Sequence, residues 1–168
     1  GNAYTLNGTQ AIELLGGNVS TNTTLPNDTL PYQVTSSVII NNNQVSGTIT
    51  LTIEPGVTVK FNAATGLTIG GTASTWSGTL IAQGTAANPI TFTSSNATPI
   101  AGDWNGIDLR TTTTSSILDY CTVEYGGAGT NNTNLKIASS TPTIRNSTIR
   151  KSDGYGIYVT GSAPILED

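Results

Sequence analysis

A chain of 168 residues is long enough to bury a continuous core as one domain. Only 10% of its residues are charged, against about 25% in an ordinary globular domain. The net charge is -4, which excludes nucleic acid as a partner, because phosphates call for clustered Lys and Arg. Disorder is excluded as well, since 36% of the residues are apolar and they recur periodically.

No apolar run approaches the ~20 residues that a membrane helix needs, so no membrane span is expected. No stretch has the basic start and apolar middle of a signal peptide, so an exported protein is read here in its mature form. Histidine is absent and Cys121 stands alone, so neither a disulfide, a metal centre nor a cofactor is expected. Cys121 lies in an alternating segment and reads as a small buried core residue. Thr, Ser, Asn and Gly fill the space that charges leave. Sequons at Asn7, Asn18, Asn22, Asn27, Asn96, Asn131 and Asn146 would suit glycosylation. Few reactive side chains and a Thr/Asn-rich surface point to an extracellular or cell-surface location.

Thr, Val and Ile favour strands and long runs of helix formers are missing, so the chain reads as all-β. Residues 1–31 hold one apolar island, Ile12–Leu15, closed by Gly16-Gly17, and read as an N-terminal cap or extension. From Tyr32 to Asp168 the pattern is that of repeated coils. Thr48–Phe61 alternates strictly through Ile49, Leu51 and Ile53, bends at Pro55-Gly56, and alternates again through Val57, Val59 and Phe61. It reads as the first full coil, with Glu54 at its corner. Later strands follow at Leu67–Ile69, Leu80-Ile81, Ile90–Phe92, Ile107–Leu109, Ile117–Tyr125, Leu135–Ile137, Thr143–Ile149 and Gly156–Val159. The last coil, starting again at Pro164-Ile165-Leu166, reads as incomplete.

The repeat shows when segments are superimposed. Ser116–Glu124 aligns with Pro142–Arg150 at an offset of 26 residues, and Leu135-Lys136-Ile137 with Ile157-Tyr158-Val159 at an offset of 22. Such offsets suit one turn of a three-sided parallel β-helix. The register predicts cross-coil charge pairs, Asp119 with Arg145 and Glu124 with Arg150. An uncovered end of such a coil invites pairing, so either the chain continues in a longer protein or the solenoid ends associate with another copy.

The run Thr50–Phe61, the segment Gly78–Ser94, Asp103-Trp104-Asn105-Gly106-Ile107 and the repeat Pro142–Gly161 resemble the coils of bacterial and archaeal right-handed parallel β-helix surface proteins of the pectate-lyase-like superfamily. The resemblance covers about residues 30–168. It implies a single right-handed, three-sided solenoid. It leaves three functions open, because that superfamily spans lyases, glycosidases, epimerases and adhesins. The first is a non-catalytic structural module, working as stalk, adhesin or filament subunit. The second is carbohydrate binding, with Trp76, Trp104, Tyr125 and Tyr155 as candidate glycan-contact aromatics and a polysaccharide as partner. The third is a polysaccharide lyase or glycoside hydrolase. Its best acidic group would be Asp103 and Asp108 beside Arg110, and Asp108 and Arg110, two apart on one strand face, are expected to pair with each other. No catalytic residue is assigned.

Overall fold

β-Branched side chains pack well on a pleated surface, and the strands they form here are short, three to six residues each. The computed structural model describes residues 7–43, 47–73, 75–110 and 116–168, among which every regular element is a strand. The strands fall into successive triplets. The first coil is β1 (Ile12–Leu14), β2 (Gly17–Val19) and β3 (Thr23–Leu25). The second is β4 (Tyr32–Val34), β5 (Val38–Ile40) and β6 (Ile49–Ile53), and the third is β7 (Thr58–Phe61), β8 (Leu67–Ile69) and β9 (Gly78–Gln83). The fourth is β10 (Ile90–Ser94), β11 (Ile107–Leu109) and β12 (Ile117–Asp119). The fifth is β13 (Cys121–Glu124), β14 (Thr133–Ala138) and β15 (Thr143–Arg145). The sixth is β16 (Thr148–Arg150), β17 (Tyr155–Thr160) and β18 (Ile165–Glu167).

Each strand pairs in parallel with the strand one coil away, which makes three six-stranded sheets. This is a three-sided, right-handed parallel β-helix. The sequence offsets reappear as registers: Asp119 lies opposite Arg145, Glu124 opposite Arg150, and Lys136 opposite Tyr158. Inward residues stack in columns. One runs Tyr32, Val59, Phe92, Val123 on the first sheet; another runs Val38, Leu67, Ile107, Leu135 on the second; a third runs Leu25, Ile53, Ala82, Leu118, Ile144 on the third. All of these are buried, and each side chain excludes water from the rungs above and below it.

Three boundaries differ from the sequence reading. The solenoid starts at Ile12, because β1, β2 and β3 already pair with the second coil; what reads as a cap is largely the first coil. Residues 1–6 of that expected cap lie outside the described residues. The stretch Thr48–Phe61 is also not one coil. Its first half is the third side of the second coil and its second half the first side of the third, so Pro55-Gly56 is the corner that joins them. That corner is a turn with Val57 N donating to Glu54 O (3.3 Å) and Gly56 at φ 85°, the conformation that calls for glycine after proline. Finally, Ile165–Glu167 is the third side of the sixth coil and does not open a seventh.

The core thins toward both ends. At the C-terminal rung Leu166 is 57% exposed, whereas Leu118, two coils back in the same column, is fully buried. At the first coils an apolar cavity of about 250 Å³ opens between Leu14, Val19, Leu25, Val34 and Phe61.

Candidate functional site

The carboxylates are tied down first. Arg145 donates to Asp119 Oδ2 at 2.9 Å, and Asn146 Nδ2 donates to Asp119 Oδ1 at 2.9 Å. Burial alone would push the Asp119 carboxyl up, but the bonds from Asn146 and Arg145 outweigh it and hold the group below the usual aspartate range. Arg150 Nε meets Glu124 Oε2 at 2.8 Å, and Thr93 Oγ1 donates to Glu124 Oε1 at 3.2 Å, so the ladder extends over three coils. Asp103 sits at the base of the loop after β10 and accepts from Ser94 Oγ (2.7 Å) and Ile100 N (3.1 Å). Its burial raises the carboxyl's pKa, yet the bonds from Ser94, Ile100 and Asn96 leave it lowered. Glu54 accepts from Asn27 N at 3.0 Å, as a corner residue does.

The four aromatics do not form a single platform. Trp104 is fully buried and corrects the expectation of a glycan contact: its ring stacks on Phe61 at 4.1 Å and 7°, and its Nε1 donates to Glu124 O at 2.8 Å. A large apolar ring next to an open column lowers the free energy more inside than out. Tyr125 is half-buried under Lys151, whose Nζ lies 4.5 Å from the ring centroid and 2.6 Å from the phenol oxygen. Tyr155 is 66% exposed and sits 6.3 Å from Tyr158. Trp76 is half-buried where only glycine fits beneath it, since a Cβ on Gly71 would lie 2.5 Å from its side chain.

Trp76 and the Tyr155–Tyr158 pair flank the same surface, the outer face of the second sheet. One outward row on that face runs Asn18, Ile39, Thr68, Asp108, Lys136, Tyr158, each opposite the next. Between Thr68 and Lys136 it forms a polar cavity of about 200 Å³ lined also by Asn105, Arg110 and Thr130. A second cavity of about 300 Å³, with Ile39, Asn18 and Trp76 on its wall, lies beside it, and Arg110 borders both. Asp108 Oδ2 receives Arg110 Nε at 2.8 Å and lies 3.9 Å from Lys136 Nζ. Asp108 Oδ1 is buried and, among the described residues, has no hydrogen-bond donor. Lys136 is the residue that the sequence reading left out of this site. The signal was only local: Ile107-Asp108-Leu109 and Leu135-Lys136-Ile137 each place a charge between two apolar residues, and it is the parallel pairing that sets them opposite each other.

Among the sequons, Asn18 is exposed on this face, while Asn22, Asn27 and Asn146 already use their side chains. Asn22 Oδ1 accepts from Thr50 N, Asn27 Nδ2 donates to Pro55 O, and Asn146 holds Asp119. Asn7 and Asn96 are exposed and Asn131 is half-buried. Among the described residues no three His, Cys, Asp or Glu side chains are grouped to hold a metal ion. Cys121 is buried, and burial pushes its thiol up to about 12, so it carries no thiolate chemistry near neutral pH.

The family model for the pectate-lyase like beta helix domain matches residues 17–128. No curated protein and no solved structure matches the chain. With more than half of its length matched, and with three parallel six-stranded sheets, the chain belongs to the family of pectate-lyase-like β-helix domains.

Proposed function

We propose that this chain is a non-catalytic solenoid module of a secreted or cell-surface protein, serving as a stalk, an adhesin or a self-assembling subunit. The fate of the carboxylates carries the reading. Asp108, Asp119 and Glu124 each hold a basic side chain within 2.8–2.9 Å. Glycoside cleavage asks for two carboxyl groups that exchange protons across a sugar bond, and a carboxylate locked to arginine is a poor proton carrier. Asp108 is held by a neighbour on its own strand face, and the Asp119–Arg145 and Glu124–Arg150 pairs tie one coil to the next, which is the work of a scaffold. Exposed sequons and the low charge favour the surface location.

The two ends favour extension. Leu166 and Val159 offer half-exposed apolar rungs at one end, and the cavity among Leu14, Val19 and Leu25 offers an apolar mouth at the other. The next rung comes either from further chain or from a second copy stacked head to tail. Purified protein incubated with acidic and neutral polysaccharides is expected to release neither unsaturated products nor reducing ends. Turnover that disappears in Asp108→Asn would overturn the non-catalytic reading. Light scattering and electron microscopy across concentration test the self-assembling version, which a strict monomer would sink.

A further inference from the structure

We infer that the sixth coil is covered by the first coil of a second copy of this chain, stacked head to tail so that β1 of the copy pairs with β16, β2 with β17 and β3 with β18. This rests on the self-assembling reading above and adds to it the partner, its direction and its setting. Among the described strands, β16, β17 and β18 lie at one edge of the three sheets, and β1, β2 and β3 at the other. Such edges carry backbone groups ready to pair. Every pairing in the solenoid is parallel, so the first coil of a copy meets the sixth in the strand direction of one more rung. Side chains continue across that junction as they do inside the chain. The inward column that begins at Ile12 ends at Ile149. The column from Val19 ends at Val159. The column from Leu25 ends at Leu166. Stacking therefore sets Ile12 on Ile149, Val19 on Val159 and Leu25 on Leu166. It takes Val159 and Leu166, 41% and 57% exposed, out of water, and it closes the apolar cavity among Leu14, Val19 and Leu25.

A three-sided coil can sit on another in three rotational settings, and charge selects one of them. Glu13 is the one charged residue on the strands of the first coil, and it is exposed. With β1 on β16 it lies beside Arg150, in the same outward row as the Glu124–Arg150 pair. Arg150 gives its Nε to Glu124, and a guanidinium has further N–H donors for a second carboxylate. Turned by one face, Glu13 meets Tyr158 instead; turned by two, it meets Ile165 on the strand that carries Glu167. A head-to-head contact centred on β1 sets Glu13 against its own copy, and like charges directly opposite repel. The head-to-tail contact joins two different surfaces by translation along the solenoid axis. It does not close on itself, so its product is a filament.

The test is disulfide trapping of the whole chain carrying Glu13→Cys with Arg150→Cys, read beside light scattering across concentration. Paired strands lie about 4.8 Å apart, which a disulfide can span. Within one copy the two positions are five strand spacings apart, about 24 Å, so only a junction between copies can close the bond. Cys121 is buried and does not compete. Oxidation is expected to give a ladder of covalent dimers, trimers and longer species, whereas Asn18→Cys with Arg150→Cys gives none. Leu166→Asp, at a position exposed in the free chain, is expected to weaken association about tenfold or more with unchanged circular dichroism, and Glu13→Lys several-fold. If Leu166→Asp perturbs folding, Glu13→Lys alone decides. A strict monomer at all concentrations would overturn both this inference and the self-assembling reading. Assembly that is trapped through Asn18→Cys, that yields only dimers from Glu13→Cys alone, or that ignores Glu13→Lys would overturn the head-to-tail setting and leave self-assembly standing.

Discussion

Asn134 is fully buried at the start of β14, and all of its side chain is used. Its Oδ1 accepts from Gly126 N at 2.7 Å, and its Nδ2 donates to Arg150 O at 2.6 Å and Val123 O at 3.3 Å. One amide thus joins two coils where the backbone turns and its own ladder stops. Asn134→Ala leaves those backbone groups unpaired in the interior and is expected to cost about 2–3 kcal/mol in chemical denaturation. Gly106 acts beside it. Its φ is 91°, and a Cβ there would lie 2.4 Å from Thr133 O, so neither conformation nor space admits a side chain. Trp104, stacked on Phe61 of the preceding coil, is the largest fully buried side chain among the described residues; Trp104→Ala is expected to cost about 3–5 kcal/mol, read from the denaturation midpoint at constant slope. A surface ring used only to hold a glycan would be nearly silent in that measurement.

Between strands, register is set by side chains that alternate inward and outward, since a slip of one residue would bury a charge and expose a core residue. The ladders Asp119–Arg145 and Thr93–Glu124–Arg150 add to this. A double-mutant cycle on Glu124 and Arg150 is expected to return about 0.2–1 kcal/mol, as the arginine side chain is half exposed. Asp119, with Asp103, carries the pH dependence. Its carboxyl is lowered in the folded chain, so its contribution is full above the unfolded aspartate value of about 3.9 and is lost as pH falls through the folded one. The acid limb of a stability-against-pH curve is therefore expected to flatten in Asp119→Asn, and a limb identical to the parent's would refute this assignment. The sequence reading placed these two pairs because both partners sit at one position of an unbroken 26-residue repeat. It did not place Lys136 against Asp108, since between β11 and β14 the loops differ in length and no fixed offset connects them.

Across the whole molecule each coil is held by its two neighbours, so stability is a sum over rungs and their interfaces. The middle coils bury Phe92, Ile107 and Leu118 completely, whereas the sixth leaves Val159 and Leu166 open and the first borders a cavity. Hydrogen exchange is expected to be slowest in β7 to β14 and to quicken toward β16–β18 and β1–β3. Uniform protection from end to end would contradict a rung-by-rung solenoid.

By itself the sequence determined the class of fold and which residues of its alternating strands face inward, because period-two alternation and Gly- or Pro-marked corners are local properties. It also determined the register of coils five and six, where the repeat is regular. Tertiary structure decided where each coil begins, since Pro55-Gly56 looks the same inside a coil as between two. It decided that Trp104 faces in and Trp76 borders the outer face, which depends on whether a column has room beside Phe61. And it alone brought Thr68, Asp108 and Lys136 into one row, because loops of unequal length hide a spacing that parallel pairing restores.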